Sequence, residues 1–479
     1  MPSTAIVWIR RDLRLKDNPA LNAALNNHEK VVIVYVSNTQ EEAPWEMGAA
    51  SRWWIHHSLI NFAERIKKHG NTLIIRQGGS LKTLIELSAE TGAKSVYWNR
   101  LYDPTIVKRD KFIKQQLVEN GIAARSFNGA LLREPWDVEK EGGGFYKVYT
   151  PFSRRYFQLT ELGPEHEAPD SLPGVERIPQ HLKPEQLNLL PIGNWYSEFS
   201  RYWEPGEEGA GIKLNQFMDD VVLRYATDRD VPGVSGVSRL SPYLHFGEIS
   251  PRQIWHRVQQ YASFSQREEE VKPYLKQLVW RDFAHHLLYH LPHTPQRPFR
   301  ELFADFQWQH DDALFRAWCQ GKTGIPLIDA GMRELWQTGW MHNRVRMLTA
   351  SFLTKNGLVH WLEGAKWFWD TLLDASLANN TMGWQWTAGC GVDAAPYFRI
   401  FSPVRQGDRF DQQGLYIKKW VPEIANLPEK YIHQPWAAPA PILSEANFVL
   451  GKSYPLPIVD LSTTRKCALE RYQALKKGD

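Results

Sequence analysis

Cysteine is scarce in this sequence, and long apolar runs are absent from it. The three cysteines, Cys319, Cys390 and Cys467, lie far apart and are too few for a disulfide framework or a four-cysteine iron–sulfur site. No apolar run reaches the roughly 18 residues that a membrane span requires. The brief apolar start gives way to charged residues from Arg10 onward, unlike a signal peptide. We therefore predict a cytoplasmic protein that does not associate with membranes.

Familiar loops for binding nucleotides or metals are also missing. No GxGxxG pattern follows the first predicted strand and no phosphate-loop lysine motif occurs, so neither a Rossmann dinucleotide site nor a nucleoside triphosphatase is indicated. His286 and His290 have the spacing of metal ligands, but no glutamate follows His286. We interpret both as structural histidines on an apolar helix and predict no bound metal.

Tryptophan, by contrast, is abundant. Of the 21 tryptophans, 11 lie between Trp280 and Trp420. An aromatic-rich helical core explains such a number without any function, because each indole buries a large area. The net charge of +4 is too small to predict a nucleic-acid partner by itself.

A chain of 479 residues is too long for one core and suggests about three units of roughly 150 residues. Over residues 1–130, short β-branched runs alternate with amphipathic stretches, which predicts an α/β domain with a doubly wound parallel sheet. A ligand of such a domain is expected at the carboxyl ends of its strands. The predicted strands are Ala5–Ile9, Lys30–Val36, Thr72–Arg76, Ser95–Asn99 and Ala124–Phe127, with helices such as Ser51–Lys68 and Ser80–Glu90 between them.

Proline marks the next change along the chain. Seven prolines fall between residues 161 and 210, which predicts a long surface connector, and we assign residues 131–210 to an interdomain linker. In residues 211–479 helical periodicity dominates, so an all-α domain is predicted. Its predicted helices are Lys213–Tyr225, Pro251–Ser263, Val271–Tyr289, Asp311–Gln320, Ile325–Thr338, Asn343–Lys355, Leu358–Leu372 and Tyr416–Trp420.

Three segments of the helical part carry side chains suited to binding. In the first, residues 235–251, Ser241 and Ser250 each precede a proline, which predicts two capped helix starts. The amides of such a start, beside the hydroxyls of Ser238 and Ser241, suit an anionic diphosphate. A capped helix without a ligand explains the same pattern.

The second segment, Trp340–Met347, places Asn343 and Met347 on one helical face, while Arg344 and Arg346 point to other sides. These side chains suit three tasks. The arginines can contact phosphate and form an internal ion pair, and the thioether beside the amide can form an apolar wall. A capped surface helix with one buried methionine is the alternative.

The third segment, Asp374–Phe401, is the most specific. It brings Asn379 and Asn380 close to Trp384 and Trp386, and glycines at positions 383, 389 and 391 argue against a long regular helix. Such a segment can line a cavity for a planar group with polar edges, because a buried amide bonds to a redox ring without adding fixed charge. The alternative is a capped loop whose tryptophans fill the core.

Together these segments resemble the DNA photolyase/cryptochrome family, and most of all its bacterial cyclobutane pyrimidine dimer (CPD) photolyases. The similarity runs nearly end to end, from Trp8–Leu15 to the region of Tyr454. The resemblance implies an α/β antenna domain, a linker and a helical domain that holds FAD. It implies light-driven repair of UV-damaged DNA, with electron transfer from photoexcited reduced FAD to a flipped-out dimer. We expect the protein to be a monomer.

The resemblance also implies where FAD binds. Asn380 corresponds to the residue that faces flavin N5, and Asp374 and Arg346 correspond to an ion pair beside the isoalloxazine. Val237 stands where many relatives have threonine, so only its backbone can serve phosphate, and Ser376 replaces a common aspartate. The implied FAD contacts are Tyr225, Val237, Ser238, Leu240, Ser241, Trp280, Arg281, Arg346, Asp374 and Asn380.

The residues for catalysis and DNA binding carry over in the same way. The implied catalytic set is Trp308, Trp361 and Trp384, which match the family's electron relay, together with Asn380, Met347 and Gln277. The implied substrate and DNA contacts are Gln277, Trp280, Arg281, Asn343, Arg344, Met347, Trp386 and Arg399. Among these, the two tryptophans resemble the walls of the dimer pocket, and the arginines resemble phosphate contacts, which position rather than specify.

The resemblance leaves substrate and antenna open. Met347 favours cyclobutane dimers, since (6-4) photolyases place histidine there, whereas Gln277 matches (6-4) enzymes. Asn380 and the lack of a long tail argue against a plant-type blue-light photoreceptor cryptochrome. CPD repair is therefore our interpretation, with a cryptochrome or a (6-4) photolyase as the alternatives. The preferred antenna is 5,10-methenyltetrahydrofolate, and 8-hydroxy-5-deazaflavin is the alternative.

Overall fold

The computed structural model describes residues 3–38, 40–159 and 162–477. Glu161, the first residue of the predicted connector, and the two chain ends lie outside these ranges. Within them one parallel sheet forms, with strand order β3-β2-β1-β4-β5. All five predicted strands are confirmed, and each observed end lies within one residue of its predicted position. The strands are β1 Thr4–Ile9, β2 Lys30–Ser37, β3 Leu73–Gln77, β4 Ser95–Asn99 and β5 Ala123–Phe127.

The sheet is covered on both faces, as the β-branched runs require. Successive side chains of β1 alternate between two cores. Ala5, Val7 and Ile9 pack into one cluster, and Ile6 and Trp8 pack into the other, because neighbouring residues of a strand point to opposite faces. The helices of this part are α1 Pro19–Asn27, α2 Ala49–Lys68, α3 Ser80–Thr91 and α4 Pro104–Glu119.

The connector follows the α/β part. Backbone bonds join it to that part at Val31, His69 and Ile75, which pair with residues 173, 172 and 182. The predicted linker also contains a helix that the sequence prediction missed, α5 Tyr149–Gln158. This helix packs against the helix at Glu268–His290.

The rest of the described chain is helical. Its helices are α6 Glu207–Asp220, α7 Tyr225–Asp228, α8 Ser241–Phe246, α9 Pro251–Ser265, α10 Glu268–His290, α11 Asp312–Cys319, α12 Pro326–Thr338, α13 Asn343–Ser351, α14 Trp361–Thr371, α15 Leu377–Ala388, α16 Pro403–Phe410, α17 Leu415–Trp420, α18 Glu429–Ile432, α19 Ala440–Glu445 and α20 Leu461–Lys477. None of the helices in the described ranges is long and apolar enough to cross a bilayer.

Three predicted helices deviate most from the structure. The helix predicted at Lys213–Tyr225 lies earlier along the chain, at Glu207–Asp220. The helix predicted at Leu358–Leu372 begins only at Trp361, because Leu358 has a left-handed φ of 53° and His360 caps the start by accepting from Leu362 N. The helix predicted to reach Lys355 changes after Ser351 into a π-helical turn over Phe352–Asn356, a feature found often at functional sites.

Arg14 ties the sheet part to the helical part. Its guanidinium is fully buried and donates to three backbone carbonyls, those of Asp17, Gly129 and Gly247. A buried cation needs such partners, because an unpaired one is costly. Because Gly247 directly follows α8, these bonds fix the end of that helix relative to Asp17 and Gly129.

Candidate functional site

The loop before α8 is fixed by a residue that the sequence analysis did not single out. Ser241 is the first residue of α8 and not its N-cap, so the capping predicted for it is wrong. Its Oγ instead accepts the indole N–H of Trp340 at 3.2 Å. The second predicted cap is confirmed, since Ser250 and Gln253 form a capping box at the start of α9.

Trp340 contacts the same loop a second time. The Arg239 guanidinium lies 4.6 Å from the centroid of the Trp340 ring, and Arg239 itself has a left-handed φ of 53°. Because that conformation is unfavourable for a side chain with a Cβ, the contacts with Trp340 help to hold it. They shape the loop of Val237, Ser238 and Leu240. The ring centroids of Tyr225 and Tyr274 are 5.2 Å apart.

Arg346 and Asp374 form the ion pair that the resemblance implies. The guanidinium donates from Nη1 and Nη2 to the two carboxylate oxygens at 3.0 and 2.9 Å, a bidentate geometry. Arg346 Nε donates to Met341 O at 2.7 Å. The Asp374 side chain is 4 % exposed, so the pair is largely shielded from water.

The glycines of the segment from residue 374 onward were predicted to prevent a long regular helix, and this prediction is wrong. Asn379–Trp386 lies within the regular helix α15, which contains Gly383 and ends at Gly389 with φ 85°. The glycine is accommodated because packing against α10, α13 and α14 stabilises the helix. Asn380 lies on this helix and donates from Nδ2 to Ala365 O at 3.0 Å, which fixes the orientation of its amide.

The three tryptophans of the implied relay differ in exposure. Trp384 and Trp361 are 2 % and 1 % exposed, whereas Trp308 is half-buried. Trp384 packs against Gly364, where a Cβ would collide with the indole. His360 lies between the other two, 5.2 Å from the Trp308 ring and 5.6 Å from the Trp361 ring.

The implied dimer pocket draws on three helices. Trp280 and Gln277 stand one turn apart on α10, and both are half-buried. Trp386 is half-buried on α15, which packs against α10. On α13, Asn343 is exposed and Met347 is half-buried, so the helical spacing predicted for this pair is confirmed.

The three arginines assigned to DNA phosphates have different partners. Arg281 donates to the carbonyls of Ala130 and Leu244, so only its remaining donors are free for phosphate. Arg344 pairs with Asp230 at 2.7 Å. Arg399 is exposed. A further arginine, Arg409, is exposed, and it stacks with Arg344 on one ring, that of Phe410.

Two histidines that resembled metal ligands have structural roles. His286 and His290 both contact the carbonyl oxygen of Pro135, and His286 Nε2 accepts from Tyr146 N at 3.2 Å. Burial lowers the pKa of His286 to about 4, so the ring is neutral near pH 7. Its bonds join α10 to the linker.

A cleft lies at the carboxyl ends of β1 and β2, where the doubly wound topology predicts a ligand. Four arginines and several aromatic rings surround it. Arg10 and Arg109 both lie over the Trp8 ring, at 4.6 and 5.2 Å, and Arg11 pairs with Asp103 at 2.8 Å. The residues that line the cleft include Trp8, Arg10, Arg11, Tyr35, Arg52 and Arg109.

Comparison with known proteins agrees with this arrangement. Residues 5–172 match the family model described as DNA photolyase, and residues 274–474 match the one described as the FAD binding domain of DNA photolyase. The deoxyribodipyrimidine photo-lyase of Agrobacterium fabrum is 44% identical over 98% of both chains. Cryptochrome-2 of Arabidopsis thaliana is 37% identical over 97% of this chain and 78% of its own.

The fold agrees as well. The crystal structure of a bacterial class III photolyase from Agrobacterium tumefaciens superposes with a TM-score of 0.96 at 44% identity, over 100% of this chain and 98% of that one. The chain therefore belongs to the DNA photolyase and cryptochrome family, and it carries that family's FAD-binding domain.

Proposed function

We propose that this protein repairs cyclobutane pyrimidine dimers in DNA, driven by light. The observation that carries the choice of dimer is the face of α13 formed by Asn343 and Met347. Opening a cyclobutane ring needs an electron that is later returned, whereas reversal of a (6-4) product also moves a hydroxyl group and needs a proton donor. An amide and a thioether supply no such proton. Burial lowers the pKa of nearby His342 to about 4, so its ring is neutral near pH 7.

The residues present fit FAD. The Arg346–Asp374 pair supplies a fixed dipole for a polar ring edge. Asn380, whose Nδ2 donates to Ala365 O, would offer its amide oxygen to the flavin ring as a hydrogen-bond acceptor. The loop of Val237, Ser238, Leu240 and Ser241 supplies amides and hydroxyls for the diphosphate, with Tyr225, Trp280 and Arg281 as further contacts. When bound, FAD supplies the light-driven electron transfer.

The protein's own side chains bind the DNA, orient the dimer and enclose it. Trp280 and Trp386 are proposed to stack against the flipped-out dimer, whose loss of stacking makes extrusion cheaper. Gln277 donates and accepts at the pyrimidine edges. Arg281, Arg344 and Arg399 hold the DNA backbone. Trp384, Trp361 and Trp308 are proposed to carry an electron inward, because indole packs as a hydrophobe and can lose an electron transiently.

We propose the α/β part, residues 1–130, as the antenna domain, with a linker over 131–210 and the catalytic part over 211–479. The antenna proposed is 5,10-methenyltetrahydrofolate, with 8-hydroxy-5-deazaflavin as the alternative. The arginine-lined cleft above β1 and β2 suits an anionic, planar molecule. A second location is Trp336 and Trp367, which are parallel within 5° with centroids 6.0 Å apart. Loss of antenna absorbance in Arg52→Ala supports the cleft, and loss in Trp367→Leu supports the tryptophan pair.

The test uses purified protein, reductant and oligonucleotides with one defined lesion. Blue light should restore the CPD oligonucleotide and leave the (6-4) oligonucleotide intact. Asn343→Ala should retain FAD and lose repair, and Trp280→Ala should lose repair. Repair of the (6-4) lesion alone would replace the proposal with the second enzyme class. Flavin photoreduction without repair of either lesion would favour a light sensor, the alternative suggested by the similarity to cryptochromes.

A further inference from the structure

One face of Trp280 is already occupied by a residue of the linker. The ring of Tyr149 is stacked on the Trp280 indole, with centroids 3.5 Å apart and planes 7° apart. Phe283 meets both rings edge-on, at 5.7 and 5.8 Å. Since an indole has two faces, a base that stacks on Trp280 is left with the face opposite Tyr149.

The Tyr149 side chain is also fixed to the turn that carries Trp280. Its hydroxyl donates to Lys276 O at 3.1 Å. In an α-helix that carbonyl, four residues earlier, is the one that accepts the backbone N–H of Trp280. The Tyr149 hydroxyl and the Trp280 backbone therefore share one acceptor, which fixes the Tyr149 ring to the helical turn that carries the indole.

A third residue joins this pair to the loop that carries Arg399. The carboxylate of Asp393 accepts the backbone N–H of Tyr149 at 3.0 Å, across 244 residues of sequence. Asp393 has a left-handed φ of 51°, a conformation that favours Asp and Asn among residues with a side chain. It stands six residues before the exposed Arg399, at the start of the same loop.

We propose that Tyr149 and Asp393 are positioning residues for damaged-base recognition. Tyr149 closes one face of Trp280 and so sets the side on which the flipped-out base stacks. Asp393 holds Tyr149 in place from the loop that contacts the DNA backbone, which links backbone contact to the pocket wall. This inference rests on the proposed function, but it applies equally to a CPD and to a (6-4) lesion.

The test compares Tyr149→Leu with Tyr149→Phe. Loss of the stacked ring should weaken binding of a dimer-containing oligonucleotide about fivefold and leave binding of undamaged DNA unchanged. The lesion-induced change in flavin absorbance should weaken in parallel. FAD content, flavin photoreduction and the repair rate at saturating DNA should stay at wild-type values. Tyr149→Phe keeps the ring and should stay within twofold of the wild type.

Two substitutions of Asp393 provide a second, independent test. Asp393→Ala should lower the ratio of damaged to undamaged affinity, as Tyr149→Leu does. Asp393→Asn keeps an acceptor oxygen and tolerates the left-handed backbone, so it should retain that ratio. If Tyr149→Leu keeps the wild-type ratio, or weakens both DNAs equally, the inference is overturned and the proposed function stands. A wild type that fails to distinguish damaged DNA overturns both.

Discussion

The cleft of the α/β part and the proposed flavin site of the helical part treat charge differently. Around the first, arginines are neutralised by separate carboxylates, with Arg10 on Asp110 and Arg11 on Asp103. The second depends on one buried bidentate pair, Arg346 with Asp374, and otherwise on amides and indoles. The first cleft therefore offers a ligand several arginines, whose charges are balanced by different carboxylates. The second site, where the flavin is proposed to bind, is nearly neutral because the charges of Arg346 and Asp374 balance each other.

The largest expected effect comes from breaking the single ion pair of the proposed flavin site. Arg346→Ala leaves the buried Asp374 carboxylate unpaired, which should lower the free energy of unfolding by about 3–5 kcal/mol and release FAD. Urea denaturation and the flavin absorbance after gel filtration measure both. Arg344→Ala is the matched control on the same helix, because its pair with Asp230 is partly exposed and should cost less than about 1 kcal/mol. Equal losses in the two variants would contradict the comparison.

The next largest effect on stability is expected from a buried lysine. Lys355 is fully buried, donates to Arg399 O at 2.9 Å, and forms no ion pair within the described residues. Burial lowers its pKa to about 7, whereas the unfolded chain holds the proton up to about pH 10.4. The unfolded state therefore binds more protons between these values, and stability due to this group rises with pH.

Lys355→Met removes this contribution. The unfolding free energy of the wild type minus that of the variant should increase by up to about 1.4 kcal/mol per pH unit above pH 7. Urea denaturation of both proteins at pH 7.5 and 9.0 measures the difference, and other titrating groups cancel in it. A difference independent of pH would show that Lys355 keeps its proton in the folded protein.

Packing around the tryptophans is expected to produce a smaller effect. Gly364→Ala places a methyl group against the Trp384 indole and Leu353, and overpacking of this kind costs about 1–3 kcal/mol. Gly383→Ala is the control, because a Cβ there meets open space, and it should gain about 0.5–1 kcal/mol within a helix. Thermal unfolding measures both. Photoreduction should slow only in Gly364→Ala, since that change displaces Trp384.

The smallest effect on stability is expected in the first cleft. Arg52 lines it and donates to Met47 O at 3.2 Å. Arg52→Ala should change the unfolding free energy by no more than about 0.5 kcal/mol, because the cleft distributes its charge over several arginines. If the cleft holds the antenna, occupancy should fall severalfold when measured by near-ultraviolet absorbance. A large loss of stability would mean that this cleft, too, depends on a single charge.

The sequence predicted the sheet closely and the helical site less well. The central strands β1 and β2 lie within one residue of prediction because both of their faces are buried, so apolar residues fill nearly every position of each run. The start of α14 was misplaced because Leu358 adopts a backbone conformation that local pattern does not reveal. Likewise, α15 accommodates Gly383 because its stability comes from tertiary packing rather than from intrinsic propensity.

By itself, then, the sequence determined the parallel sheet, the proline-rich connector, the helical region and, through its motifs, the family. These depend on periodicity and on residue types within short windows. Only the tertiary structure brought Trp340 to Ser241, 99 residues away, and Asp393 to Tyr149. Such contacts join elements that are remote along the chain, so they arise from how the helices pack. No local pattern in the sequence encodes that arrangement.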